Sequence, residues 1–208
     1  IGGDRGMLHE VNDQIDTIKP ITKYARRALD PAEIPEMVHE AVTSLKTGRP
    51  RPVEIEIPPE TLAEIVDIDL IEPAIVRQVS ASAEQISTAA QMLTDAKNPL
   101  IWVGGGAIAS EASGALVQVA EFLQAPVIAT PEGKGAISDK HHLSLGGLWQ
   151  RDDPIAQAAS GHDVILAVGT RMATPNLLSG QKVIQIDIDA AELGRNYKDT
   201  FGIQGDAR

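Results

Sequence analysis

The stretch NPLIWVGGGAIA at residues 98–109 decides the fold. Asn98-Pro99 punctuates the chain, and Leu100-Ile101-Trp102-Val103 is an unbroken apolar run. A run that short, bounded by turn residues, reads as a strand buried on both faces. Gly104-Gly105-Gly106 then demands a tight turn. Gly104, Gly106 and Ala109 fit G-x-G-x-x-G/A, placed after a strand and before a helix. Glycines there let a backbone approach a pyrophosphate, whose charge the helix N–H groups would stabilise. The same residues also suit a turn that packs helix on strand, and both readings stand at this point.

Working outward, the rhythm on either side is strand and helix in alternation. Ser82 with Gln85 forms a capping-box pattern opening a helix that runs to about Ala96. A helix is expected over 110–123, strands over 125–130, 164–168, 182–188 and 202–204, and short helices over 153–161 and 190–195. Residues 131–147 read as mostly loop. Such alternation implies an α/β fold: a doubly wound, mostly parallel, Rossmann-like sheet with right-handed crossovers. Ligands of such sheets bind beyond the carboxyl ends of the strands, here the loops after Val103, Thr130, Val168 and Ile188.

Upstream the pattern differs. Residues 1–19 read as loop. Asp30-Pro31 opens a helix that Gly48 ends. Residues 53–57 (VEIEI) alternate apolar and acidic, as in a strand with one solvated face. Residues 58–80 are proline-broken, with no clear period. The division expected is therefore a helix–strand remnant of another α/β domain at 1–57, a linker at 58–80 and a nucleotide-binding-like domain at 81–208. Ile1 in place of a starting Met, and the absence of a closing helix before Arg208, read as cut ends.

Composition narrows the function classes. The net charge is −11, which repels a phosphate backbone and argues against nucleic-acid binding. There is no cysteine, so disulfides, zinc–thiolate sites and thiol nucleophiles are excluded. The longest apolar stretch, 99–109, is too short and glycine-rich to span a bilayer. No signal segment opens the chain, and a soluble, cytoplasmic protein is expected. Aromatics are only 3%, so the core must be aliphatic.

Other residues invite chemistry. Glu132, past the 125–130 strand, could hold a ribose. Gly133-Lys134-Gly135 could meet an anion, although its lysine more often pairs with a neighbouring carboxylate. Arg171 could clamp a phosphate or sit in an ion pair. Asp187 could accept bonds from a ribose or adenine, and Asp189 reads as a helix N-cap. His141-His142 read as loop residues, since adjacent histidines rarely chelate one ion, and no metal site is expected. His9-Glu10 are adjacent and could act as acid and base. Two readings follow from these residues alone: an NAD-dependent oxidoreductase using the glycine turn and Glu132, or a non-catalytic adenine-nucleotide-sensing module.

Taken in order, the motifs resemble one superfamily. TGRPRPVEIEIP at 47–58 and KPITKYA at 19–25 are similar to the end of the pyrimidine-binding domain of thiamine diphosphate enzymes such as acetolactate synthase and benzoylformate decarboxylase. NPLIWVGGGA (98–107), PVIATPEGKGAI (126–137), ILAVGTR (165–171), VIQIDIDAAELGRN (183–196) and GDA (205–207) resemble their central domain. The resemblance implies a 2-oxo acid decarboxylase or carboligase, a lyase or transferase, active as a homodimer or homotetramer. Thiamine diphosphate and Mg²⁺ would sit outside this segment, which alone is expected to be inactive. Gly205-Asp206-Ala207 is not the G-D-G motif that holds magnesium. The family's central domain holds FAD in some members and ADP in others. The resemblance places that nucleotide at Gly104, Gly105, Gly106, Thr130, Arg171, Asp187, Ile188, Asp206 and Ala207. It places His9 and Glu10 in a loop near the reacting substrate, with His9 where the synthases carry glutamine. Two departures stand out. Met172-Ala173-Thr174-Pro175 follows Arg171 where synthases have Phe-Asp-Asp-Arg, and Gly146-Gly147-Leu148-Trp149 replaces a Gly-Met-x-Gly turn; the charged contacts so lost imply weakly held or absent FAD, leaving ADP or an empty site as the alternatives.

Overall fold

The computed structural model describes residues 11–76, 79–147, 157–173, 177 and 179–208. It divides into two compact units, Ile1–Gln78 and Val79–Arg208.

In the first unit, Asp13 caps a short helix α1 (Gln14–Ile18), its carboxylate accepting from the Asp16 amide at 3.0 Å. Strand β1 (Tyr24–Arg27) follows. Asp30 caps a 3-10 turn that runs on into α2 (Ile34–Lys46), which buries Met37 and Ala41. Gly48, at φ +59°, lies just past the helix, where left-handed backbone suits glycine. The Lys23 ammonium donates to the carbonyls of Ser44, Thr47 and Arg49 at that end. Strand β2 (Val53–Glu56) pairs with β1 in parallel, Tyr24 opposite Val53 and Arg27 opposite Glu56. The acidic face of β2 is not open to solvent as its alternation suggested. Glu54 and Glu56 are half-buried, and Arg27 Nε lies 2.9 Å from Glu56 Oε1, off the hydrogen-bond direction. A short helix α3 (Pro59–Leu62) comes next, tied to the unit where Thr61 Oγ1 donates to the Leu29 carbonyl. Residues 63–76 carry no regular element, and Ile65, Leu70 and Ile75 are exposed.

The second unit opens with α4 (Ala83–Thr94), whose capping box closes as its sequence predicts: the Gln85 amide donates to Ser82 Oγ, and the Ser82 amide to Gln85 Oε1, both at 3.1 Å. Then come β3 (Pro99–Val103), α5 (Gly105–Ala109), α6 (Ser113–Leu123), β4 (Val127–Ala129), β5 (Ser144–Gly147), β6 (Val164–Val168), β7 (Lys182–Asp187) and β8 (Thr200–Gln204). The helix expected over 110–123 begins later. Glu111, at φ +57°, separates α5 from α6. The sheet order is β5-β4-β3-β6-β7-β8, and every neighbouring pair is parallel. Each strand lies beside the next in sequence except β5 and β6; β6 instead pairs with β3, where the winding reverses. That reversal is the switch point of a doubly wound sheet.

Both faces are covered, which is why the strands read as apolar runs. One face sets Ile101, Val103, Val127, Leu166 and Ile184 against α4 and α6. The other gathers Leu100, Trp102, Ile128, Ile165 and Val183 with Ala159 and Met172.

Candidate functional site

The carboxyl edge of the sheet is laced by backbone hydrogen bonds that continue past the strands. Thr130 donates to Val103, Gly104 to Val168, Gly169 to Ile186 and Gly205 to Asp187, all at 2.9–3.0 Å. Every residue that the resemblance assigns to the nucleotide lies on this edge: Thr130 after β4, Gly104–Gly106 after β3, Arg171 after β6, Asp187 and Ile188 at β7, and Asp206-Ala207 after β8.

At the switch point the two loops touch backbone to backbone. A Cβ built on Gly106 would lie 2.6 Å from Gly169 Cα, and one on Gly104 would lie 2.7 Å from Thr170 Cβ. The amides of Gly104 and Gly106 donate to the Val168 and Gly169 carbonyls. Close loop packing thus accounts for the small residues at 104 and 106, and their N–H groups are taken. Gly105 is different: a Cβ there would meet the Glu132 side chain at 3.0 Å.

Thr130 Oγ1 accepts from the Gly133 amide at 3.1 Å and caps the 3-10 turn Pro131–Gly133. Gly133 packs on the end of β3, since a Cβ there would sit 2.8 Å from the Val103 carbonyl carbon. Lys134 pairs with Asp139 at 3.4 Å, both exposed. Asp187 is 7% exposed, and its Oδ1 accepts from the Asp189 amide at 2.9 Å. Asp189 in turn accepts from the Ala191 amide at 3.0 Å, the cap its sequence predicts. The Ile188 carbonyl accepts from Gln204 Nε2. The Asp206 amide donates to the Val79 carbonyl, Asp206 Oδ1 accepts from the Arg208 amide, and Ala207 packs on the core. Arg171 is exposed, and its carbonyl accepts from Asn196 Nδ2 at 2.6 Å.

His141 Nε2 lies 3.2 Å from Glu121 Oε1, its Nδ1 accepts from the Leu143 amide, and its ring stacks on His142. Among the described residues no group of three His, Cys, Asp or Glu could hold a metal. None of their helices is long and apolar enough to cross a membrane. His9, Glu10, Leu148, Trp149, Thr174 and Pro175 lie outside the described residues.

Sequence reasoning missed two polar residues that shape this edge, Gln185 and Asn196. Gln185 is 3% exposed in the middle of β7. A glutamine inside the apolar run VIQID was the signal available, because a buried amide must be hydrogen-bonded.

At the opposite, amino edge, a cleft of about 500 Å³ is lined by Gln91, Asp95, Asp163 and Lys182 among others. Asp163 accepts from the amides of Lys97 and Asn98 at 2.8 and 2.9 Å, and these bonds hold its carboxyl below the usual range despite partial burial.

Residues 86–208 match the family described as thiamine pyrophosphate enzyme, central domain. The chain is 36% identical to an acetolactate synthase of Arthrospira platensis over 91% of its own length and 35% of that protein. It is 34% identical to a glyoxylate carboligase of Escherichia coli O157:H7, over 98% of its length and 37% of the relative. The fold superposes on a benzoylformate decarboxylase of Polynucleobacter necessarius with a TM-score of 0.81 at 20% identity, covering 93% of this chain and 38% of that one. The chain therefore spans about a third of the length of the curated relatives it matches. On these grounds the chain belongs to the thiamine pyrophosphate enzyme family, with the family's central domain at residues 86–208.

Proposed function

We propose that the complete protein is a thiamine diphosphate- and Mg²⁺-dependent enzyme that decarboxylates a 2-oxo acid, or transfers the carbon unit so released to an acceptor. The observation that carries this reading is the central-domain match at 86–208, joined to relatives named as a synthase and a carboligase. Residues 1–57 are the end of its pyrimidine-binding domain, 58–80 the linker, and His9 and Glu10 belong to a loop near the substrate. Thiamine diphosphate, bound elsewhere in the complete protein, supplies the carbanion chemistry, and the polypeptide orients it. The assembly expected is a cytoplasmic homodimer or homotetramer.

Residues 81–208 act as scaffold and carry an adenine-nucleotide site, for ADP or FAD, on the carboxyl edge. The residues fit such a ligand in part. Arg171 offers an exposed guanidinium suited to a phosphate, and Asp187, Ile188, Asp206 and Ala207 lie on the same edge. The glycine turn offers Gly105, because the amides of Gly104 and Gly106 are engaged.

The test is CO2 release by the complete protein with thiamine diphosphate, Mg²⁺ and a panel of 2-oxo acids. Cofactor-dependent release is expected, and the best substrate then names the reaction. Folded protein that binds the cofactor yet releases no CO2 across the panel would overturn the substrate class. Failure to bind thiamine diphosphate would overturn the whole reading.

A further inference from the structure

Arg171 sits in a loop that is held from three directions. Thr170 and Met172 are buried at 8% and 2%, while Arg171 between them is exposed. Two residues bracketing it, Gly169 and Met172, adopt positive φ, +59° and +52°. For methionine that is a strained backbone, which persists only when its surroundings impose it. The imposing contacts come largely from one place. Gln185 Nε2 donates to the Thr170 carbonyl at 3.1 Å, and Gln185 Oε1 accepts from the Gly194 amide at 2.9 Å. Asn196 Nδ2 donates to the Arg171 carbonyl. Thr170 Oγ1 adds a bond from the Met172 amide at 3.3 Å, and the Met172 side chain is packed in the core with Trp102.

We propose that Gln185 and the 194–196 turn form a clamp that fixes the 169–172 loop and so aims Arg171 at an anionic ligand on the carboxyl edge. This rests on the nucleotide reading for the identity of that ligand, a phosphate of ADP or FAD. Gln185 and Asn196 are positioning residues: they reach the loop's carbonyls and act on the ligand only through Arg171. The physical logic is preorganisation. An exposed arginine on a free loop loses much of its contact energy to ordering, whereas a clamped loop has already been ordered by folding. The clamp is also local in effect, because Asn196 is exposed and its truncation leaves the core intact.

The experiment uses the complete protein, with ADP as probe in calorimetry and FAD as a second probe. Arg171→Ala is expected to weaken ADP binding roughly tenfold or more, as loss of a charged hydrogen bond does. Asn196→Ala is expected to weaken it several-fold, and Gln185→Leu further. Arg171→Ala/Asn196→Ala should bind no more weakly than Arg171→Ala alone, because coupled residues do not add. A merely structural role for Asn196 would make the two losses additive. Independently of any ligand, tryptic cleavage after Arg171 should quicken in Asn196→Ala, read as the fragment ending at Arg171. Wild-type protein that binds neither ADP nor FAD would end the nucleotide reading, while the cleavage rates still decide the clamp. Wild-type binding that Asn196→Ala leaves unchanged, with unchanged cleavage, would overturn the clamp and leave the nucleotide reading standing.

Discussion

Gly106 and Gly114 make a matched pair of tests. A methyl group at 106 would press on Gly169 Cα from 2.6 Å, while at 114, inside α6, nothing lies within 4 Å. Gly106→Ala should therefore cost about 1–3 kcal/mol of stability as an overpacked contact. Gly114→Ala should gain up to about 1 kcal/mol as a helix substitution. Urea midpoints of the two variants, moving in opposite directions, are the check. Trp102 poses a different question. It is fully buried in β3, and its indole N–H has no hydrogen-bond partner among the described residues. A buried orphan donor costs about 1–3 kcal/mol, so Trp102→Phe should leave the melting temperature unchanged or raise it. Trp102→Ala, which opens a cavity, should lose about 3–5 kcal/mol. A large loss in Trp102→Phe would mean that the N–H contributes a bond after all.

Elements owe their ends to a few polar groups. Ser82→Ala removes half of the capping box on α4 and should cost about 1 kcal/mol, measured by denaturant unfolding. Asp163 joins the segment before β3 to the start of β6 through its two backbone bonds. Its native carboxyl titrates below the ordinary range, so its stabilising effect is complete above about pH 4 and is lost as pH falls through the lowered native value. Asp163→Asn should flatten that part of the stability–pH curve, and an unchanged slope would remove the group from the account. The β3, β6 and β7 strands were legible because a strand covered on both faces reads as an apolar run with sharp ends. Strand β5 was not: SLGG has no β-branched or aromatic residue, and only pairing with β4 makes it a strand. The break at Glu111 was equally hidden, since no glycine or proline marks it. The solvated face expected of β2 failed because Arg27 on the paired strand turns toward Glu56, a contact across sequence that alternation cannot show.

At the scale of the whole chain the two units differ in how well each closes on itself. Residues 79–208 hold a six-stranded sheet with both faces covered. Residues 11–76 hold two strands and one long helix, with Ile65, Leu70 and Ile75 exposed. A two-stranded sheet is marginal in water. Expressed separately, 79–208 should melt cooperatively by circular dichroism, and 1–78 should show little tertiary structure; a cooperative melt for 1–78 would contradict this. The candidate site was legible as a set of loops because doubly wound sheets place ligands at their carboxyl edge. The close contact between Gly106 and Gly169 was not, since it joins loops far apart in sequence. The reversal at β3–β6 has a further consequence, for biosynthesis. Val103 pairs with Ala129 on one side, but on the other its partner is Val168, which leaves the ribosome roughly 3–13 s later at ~5–20 residues per second. Through that interval the nascent chain carries an apolar strand whose inner edge has nothing to pair with, and such edges recruit other strands. Translation stalled between these two segments should therefore yield chains that a chaperone must hold, whereas release after β6 should yield chains that close the sheet unaided.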